Sequence, residues 1–179
     1  MEVLRALLGR ALLLVLLLPG MASAQAPEYD LKAAFLFNFV KFVEWPPAAF
    51  AGDRTPLTIC VYGDDPFGRA LDSVIQGERV GERGLLVQRP DSLDDLRECH
   101  VLFVCRSERD RLGEVLEQVR EAPVLTVGDS DGFLRAGGVI NFVLEGSKVR
   151  FLIDQAAAER SGLRISSKLM RLAVNTGER

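Results

Sequence analysis

Three short runs constrain this chain most: Leu57–Tyr62 (LTICVY), Val101–Cys105 (VLFVC) and Val124–Val127 (VLTV) are almost entirely apolar and rich in β-branched residues. A strand with no polar face is covered on both sides, and such coverage is typical of parallel sheets. Helix signals follow the first two runs. Asp64-Asp65-Pro66 opens a helix reaching Ile75, and Ser107-Glu108-Arg109-Asp110 has capping-box form, with Asp for the usual Glu or Gln, ahead of a helix to Arg120. Leu85–Gln88 reads as a short strand and Leu93–Arg97 as a short helix. Parallel neighbours need crossovers of this kind, so the alternation predicts an α/β layer. The end of the chain breaks the pattern. Gly138–Leu144 and Val149–Ile153 read as a hairpin turning at Glu145–Lys148. Asp154 caps a short helix through Arg160, Leu163–Ser167 is a last strand or turn, and Lys168–Ala173 a last helix. The expected fold is a single-domain layered α/β fold, with a mixed, largely parallel sheet, flanking helices and a C-terminal antiparallel hairpin.

Glu28–Trp45 reads as the first helix, stopped by Pro46-Pro47. With Asp30 at zero and 100° per residue, Lys41 falls near 20°, Glu44 near −40° and Phe37 near −20°. Leu31, Phe35, Phe39, Phe42 and Val43 occupy the rest of the wheel. A narrow polar strip against a wide apolar face predicts a helix packed between the sheet and another element. Phe37, inside the polar strip, is a candidate for contact with another chain.

Upstream, Met1–Ala24 has the form of a cleaved secretory signal. Arg5 and Arg10 precede or flank the apolar stretch Ala11–Leu18, Pro19-Gly20 breaks it, and Ala22-Ser23-Ala24 is a small-x-small cleavage site. Eight apolar residues are far short of the roughly 20 a membrane-spanning helix needs. Residues 25–179 are therefore expected as one exported domain, with no direct membrane insertion. The net charge of −3 on 179 residues gives no basic footprint for nucleic acid.

Export places Cys60, Cys99 and Cys105 where disulfides persist. Three thiols allow one bridge, in three pairings. If the runs at 57–62 and 101–105 are parallel neighbours in equal register, Cys60 lies level with Val104, nearer Cys105 than Cys99.

Chemical machinery is sparse. Gly63–Gly68 has the glycine spacing of a phosphate loop, but the positions for its lysine and hydroxyl hold Arg69 and Ala70, and Pro66 removes a backbone donor. A strand–helix turn with Asp caps accounts for it better. His100 is the sole histidine and enters a buried run, so neither a catalytic base nor a zinc set is expected. Asp129-Ser130-Asp131-Gly132 lacks the remainder of a calcium loop. No cofactor, metal or catalytic residue is expected. The loops at Gly63–Gly68, Arg106–Arg109 and Gly128–Gly132 should meet along the edge where α/β sheets bind ligands.

The ordered stretches LKAAFLFNFVKFVEWP (Leu31–Pro46), VYGDDPFG (Val61–Gly68), CHVLFV (Cys99–Val104), GGVINFVLEGSKVRFLID (Gly137–Asp154) and LRISSKLMRLA (Leu163–Ala173) resemble the YfiR family of periplasmic repressors. The resemblance implies a homodimeric α/β domain without a catalytic centre. It implies binding to the periplasmic sensor domain of an inner-membrane diguanylate cyclase, restraint of cyclic di-GMP signalling and biofilm formation, and sequestration by an outer-membrane lipoprotein. It also implies a bridge between Cys60 and Cys99, leaving Cys105 as a buried thiol. A second bridge known in some members has no counterpart, because residues 106–179 contain no cysteine. The candidate contact residues are Phe37 and Trp45 of the first helix and Phe142 and Phe151 of the hairpin. Core packing is the competing reading for all four, and the stronger one for Phe142 and Phe151. The alternative function is a periplasmic ligand-sensing module partnering a sensor histidine kinase.

Overall fold

The computed structural model describes residues 25–174; the proposed signal segment lies outside them. Helix α1 (Gln25–Phe42) carries Glu28 in its first turn and Lys41 in its last, complementing the helix dipole. It ends before Trp45, because the backbone of the next residues is used elsewhere. Strand β1 (Val43–Glu44) pairs antiparallel with β9 (Arg164–Ile165), and the carbonyl of Phe42 accepts from Ser166 N at 2.9 Å. This two-stranded sheet stands apart from the main one.

The main sheet contains β2 (Leu57–Tyr62), β3 (Arg79–Val80), β4 (Arg83–Gln88), β5 (Val101–Val104), β6 (Leu125–Gly128), β7 (Ile140–Glu145) and β8 (Lys148–Ile153). Their spatial order is β3-β4-β2-β5-β6-β7-β8. The pairs β2–β4, β2–β5, β5–β6 and β6–β7 are parallel, while β3–β4 and β7–β8 are antiparallel. The sheet is thus mixed and largely parallel, with the hairpin at one end. Its parallel strands follow a doubly wound order that reverses at β2.

Side-chain alternation splits the core into two layers. On one face Ile59, Val61, Val101, Phe103, Leu125, Val127 and Ile140 pack under α1 and α2 (Arg69–Ile75). Helices α4 (Gln155–Arg160) and α5 (Ser167–Leu172) contribute Ala157, Ala158 and Leu169 to this layer. On the other face Cys60, Tyr62, Leu102 and Val104 pack with Leu96, Phe133 and α3 (Leu112–Gln118). Phe133 is fully buried between two glycines. A Cβ on Gly138 would lie 2.1 Å from its ring and one on Gly128 2.5 Å, so neither position accepts a larger residue without displacing the ring.

Besides the earlier end of the first helix, three readings differ from the structure. Residues 64–68 form the turn before α2 rather than its first turn; Asp65 Oδ1 accepts from Phe67 N at 2.7 Å. The capping box at 107–110 does not form. A 3-10 turn (Arg106–Arg111) precedes α3 without a side-chain cap, and Ser107 Oγ instead accepts from Asp64 N at 2.9 Å across the sheet edge. Finally, the strand register is offset: Cys60 is level with Leu102, not Val104. That offset moves Cys60 away from Cys105 and toward Cys99, just before β5. Cys60 and Cys99 are joined with Cα atoms 5.8 Å apart. Cys105 is a buried free thiol facing the opposite layer.

Candidate functional site

Two regions carry polar chemistry or exposed apolar surface. The first is the carboxyl edge of the parallel strands. There the loops after β2, β5 and β6 meet: Asp64 bonds to Ser107, and Arg106 Nε lies 3.3 Å from both the carbonyl and Oδ1 of Asp129. Beneath them lies a buried polar knot. Lys32 Nζ sits 2.5 Å from Asp129 Oδ2 and 2.5 Å from Glu28 Oε1, and Tyr29 donates its hydroxyl to Asp129 Oδ2 at 2.7 Å. The side chains of Lys32 and Asp129 are 1% and 0% exposed. Charges this deep require partners, and here two carboxylates face Lys32 and the half-exposed Arg106. Burial, reinforced by the bond to Asp129, raises the Tyr29 phenol far above its usual value, so it stays a donor. The knot fastens α1 to the loop after β6.

Outside the knot is a cavity of about 440 Å³, lined by Arg106, Arg109, Asp110, Asp129, Ser130 and Asp131. Its three carboxylates and two guanidiniums favour neither sign of charge. Ser130 Oγ has no hydrogen-bond partner among the described residues. Within the same residues there is no group of three or more metal-ligating side chains.

The second region is the outer side of α1 and the segment after it. Asp30, Leu31, Asn38 and Lys41 are exposed, and Ala34 and Phe37 are half-buried. Phe37 packs partly on the core while the Lys41 ammonium lies 3.7 Å from its ring centroid, a charged lid on an apolar ring. Leu31 is 46% exposed, which gives this stripe a second apolar residue with charged neighbours.

Trp45 is half-buried, and its indole nitrogen donates inward to the carbonyl of His100 at 3.2 Å. Around it the segment 45–56 is latched by His100. Nδ1 accepts from Thr58 N at 3.2 Å, so Nε2 carries the proton given to the Ala49 carbonyl at 3.1 Å. Phe50 stacks on the imidazole at 4.7 Å, and the Arg83 guanidinium lies 3.7 Å from the Phe50 ring centroid. Burial lowers the His100 pKa; the bond to Ala49 opposes this and Arg83 adds to it. Phe142 and Phe151, in contrast, form no surface. Each is 2% exposed and packs against Phe35 and Phe39 under α1, which removes both from any contact surface in this conformation. Cys105 is shielded likewise: burial, then nearby carboxylates led by Asp65, raise its thiol far above its usual value.

The pairing of Lys32 with Asp129 was missed from sequence, although a signal existed. Lys32 falls on the apolar side of the helical wheel, among Leu36 and Phe39, where only a buried counter-charge makes a lysine tolerable.

The sequence profile of the YfiR/HmsC-like family matches residues 29–174. The chain belongs to the YfiR/HmsC-like family. Proteins of this family are periplasmic regulators of diguanylate cyclases. The match spans the α1 stripe and, apart from Glu28, the knot. No curated protein matches the chain. Among solved structures, it is similar to a conserved domain protein of Vibrio cholerae, with a TM-score of 0.54 and 9% identity over 82% of this chain. The chain spans 59% of that protein's length, and the likeness at this identity is one of fold. Among the described residues, no helix is long and apolar enough to cross a membrane.

Proposed function

We propose that this YfiR/HmsC-like protein represses an inner-membrane diguanylate cyclase by binding its periplasmic sensor domain, and so limits cyclic di-GMP signalling and biofilm formation. The family match over almost the whole folded domain carries this reading. Repression by binding requires only that the protein prefer the inactive form of the sensor domain; the energy comes from the difference in affinity between its two states. The surface offered is the outer stripe of α1, with Leu31 and Phe37 as apolar anchors and Asp30 and Lys41 beside them. An apolar centre bordered by charge suits an interface that must also be soluble when free. Trp45, half-buried at the end of this segment with its polar atom already bonded to His100, offers a further apolar edge to the partner. The same surface is proposed for a homodimer contact, and an outer-membrane lipoprotein that bound it would relieve repression by competition.

Phe37→Glu tests the reading. The ring is only half-buried, so the variant keeps its thermal midpoint within a few degrees while a buried anion weakens the interface. The expected outcome is at least tenfold weaker binding to the purified periplasmic sensor domain of an inner-membrane diguanylate cyclase from the same organism, and raised cellular cyclic di-GMP. Unchanged affinity and unchanged repression would refute the role of this surface.

A further inference from the structure

A different cavity, of about 290 Å³, lies where the ends of α3 and α4 meet the loop 134–137. Its charged lining is of one sign only: Arg120, Arg135 and Arg160, with no carboxylate. Arg120 is paired with Glu117, but Arg135 and Arg160 make no ion pair among the described residues. On a chain of net charge −3, unpaired guanidiniums gathered at one cavity are unusual. Cations that follow a helix complement its terminal carbonyls, which accounts for Arg120 and Arg160. Arg135 comes from a loop, where its guanidinium packs near Gly132, and has no such reason.

The floor supplies a second, independent observation. Thr126 is 4% exposed and lines the cavity. Its Oγ1 accepts from Val139 N at 3.0 Å, and its own proton has no acceptor among the described residues. Because the hydroxyl lines the cavity, its proton is free to turn toward an acceptor bound there. Ser161 offers a further hydroxyl at the rim.

We propose that this cavity binds a phosphate group. Arg135 and Arg160, two unpaired guanidiniums that are each a planar fork of donors, match the several terminal oxygens and double charge of a phosphate monoester better than a two-oxygen carboxylate, and Arg120, held by Glu117, adds positive charge at the rim. Leu116, Val119, Ala136 and Ala157 provide a small apolar wall for the carbon atoms next to the ester. The site lies outside the α1 stripe, so it stands or falls independently of the cyclase contact.

The phosphate could be that of a small soluble ester or of a lipid headgroup, and one experiment separates them. The full exported domain is titrated with inorganic phosphate and with glycerol phosphate at constant ionic strength, by calorimetry. In parallel it is sedimented with phosphatidylcholine vesicles with and without phosphatidic acid. The probe variant is the exposed pair Arg135→Glu with Arg160→Glu, with Arg135→Ala as a milder version. Lys148→Glu, on the distant hairpin turn, controls for net charge. Saturable phosphate binding that weakens at least tenfold in the double variant, less in Arg135→Ala and not in Lys148→Glu, supports a soluble ester. Sedimentation only with phosphatidic acid, lost in the double variant, supports a headgroup. Absence of both, or equal binding by wild type and the double variant, overturns the proposal.

Discussion

Lys32→Met should be among the most destabilising single substitutions in this protein. The lysine side chain is 1% exposed, and its ammonium is the common partner of Glu28 and Asp129, each at 2.5 Å. Methionine restores most of the stem volume, so the loss is electrostatic rather than a cavity. Removing one member of a buried pair costs about 3–5 kcal/mol, because the other charge stays buried. Here two carboxylates lose their shared cation, but Asp129 keeps the Tyr29 hydroxyl at 2.7 Å and Arg106 at 3.3 Å. That places the cost near the lower end, about 3 kcal/mol, a large fraction of the roughly 5–15 kcal/mol that holds a domain together. Asp129→Asn should cost less, since Lys32 retains Glu28. Urea unfolding at pH 7, followed by circular dichroism, measures both through the midpoint at constant slope. A Lys32→Met loss below about 1 kcal/mol, or an Asp129→Asn loss larger than that of Lys32→Met, would refute the reasoning that Lys32 is the hub of the knot.

Two further outcomes follow from the latch and the bridge. Because burial holds the folded-state pKa of His100 below its unfolded value, the unfolded chain takes up the proton first. The stability contributed by neutral His100 is therefore complete above pH about 6.5 and lost as pH falls below it, by up to about 1.4 kcal/mol per pH unit until the folded form also titrates. Protonation also removes the acceptor for Thr58 N, so the segment 45–56 should lose amide-exchange protection first on acidification; a His100→Gln variant with an unaltered pH profile would count against this. Replacing Cys60 and Cys99 by alanine removes a cross-link between residues 39 apart, worth about 4 kcal/mol in loop entropy. In the native protein a thiol reagent should leave Cys105 unmodified and label it only after denaturation; rapid labelling of the folded chain would contradict its burial.

The sequence by itself determined the layered α/β class, the order of the central strands and the helices between them, and the terminal hairpin. These follow from signals carried within a few residues: unbroken apolar runs at 57–62 and 101–105, and the turn at 145–148 between alternating strands. It also marked Phe37 as an apolar residue in a polar strip. Tertiary structure alone decided what depends on partners far along the chain. Strand register is set by packing of whole layers, so the offset that aligns Cys60 with Leu102 left no local trace. Trp45 lies beyond α1 because β1 pairs with β9, more than a hundred residues later. The Ser107 hydroxyl abandoned its own helix for Asp64, and Lys32 found Asp129 across 97 residues. Phe142 and Phe151 are core because α1 lies over the hairpin, a fact of docking that alternation within a strand does not encode. Local periodicity reveals which face of an element is apolar; only the assembled layers decide which apolar face stays in water.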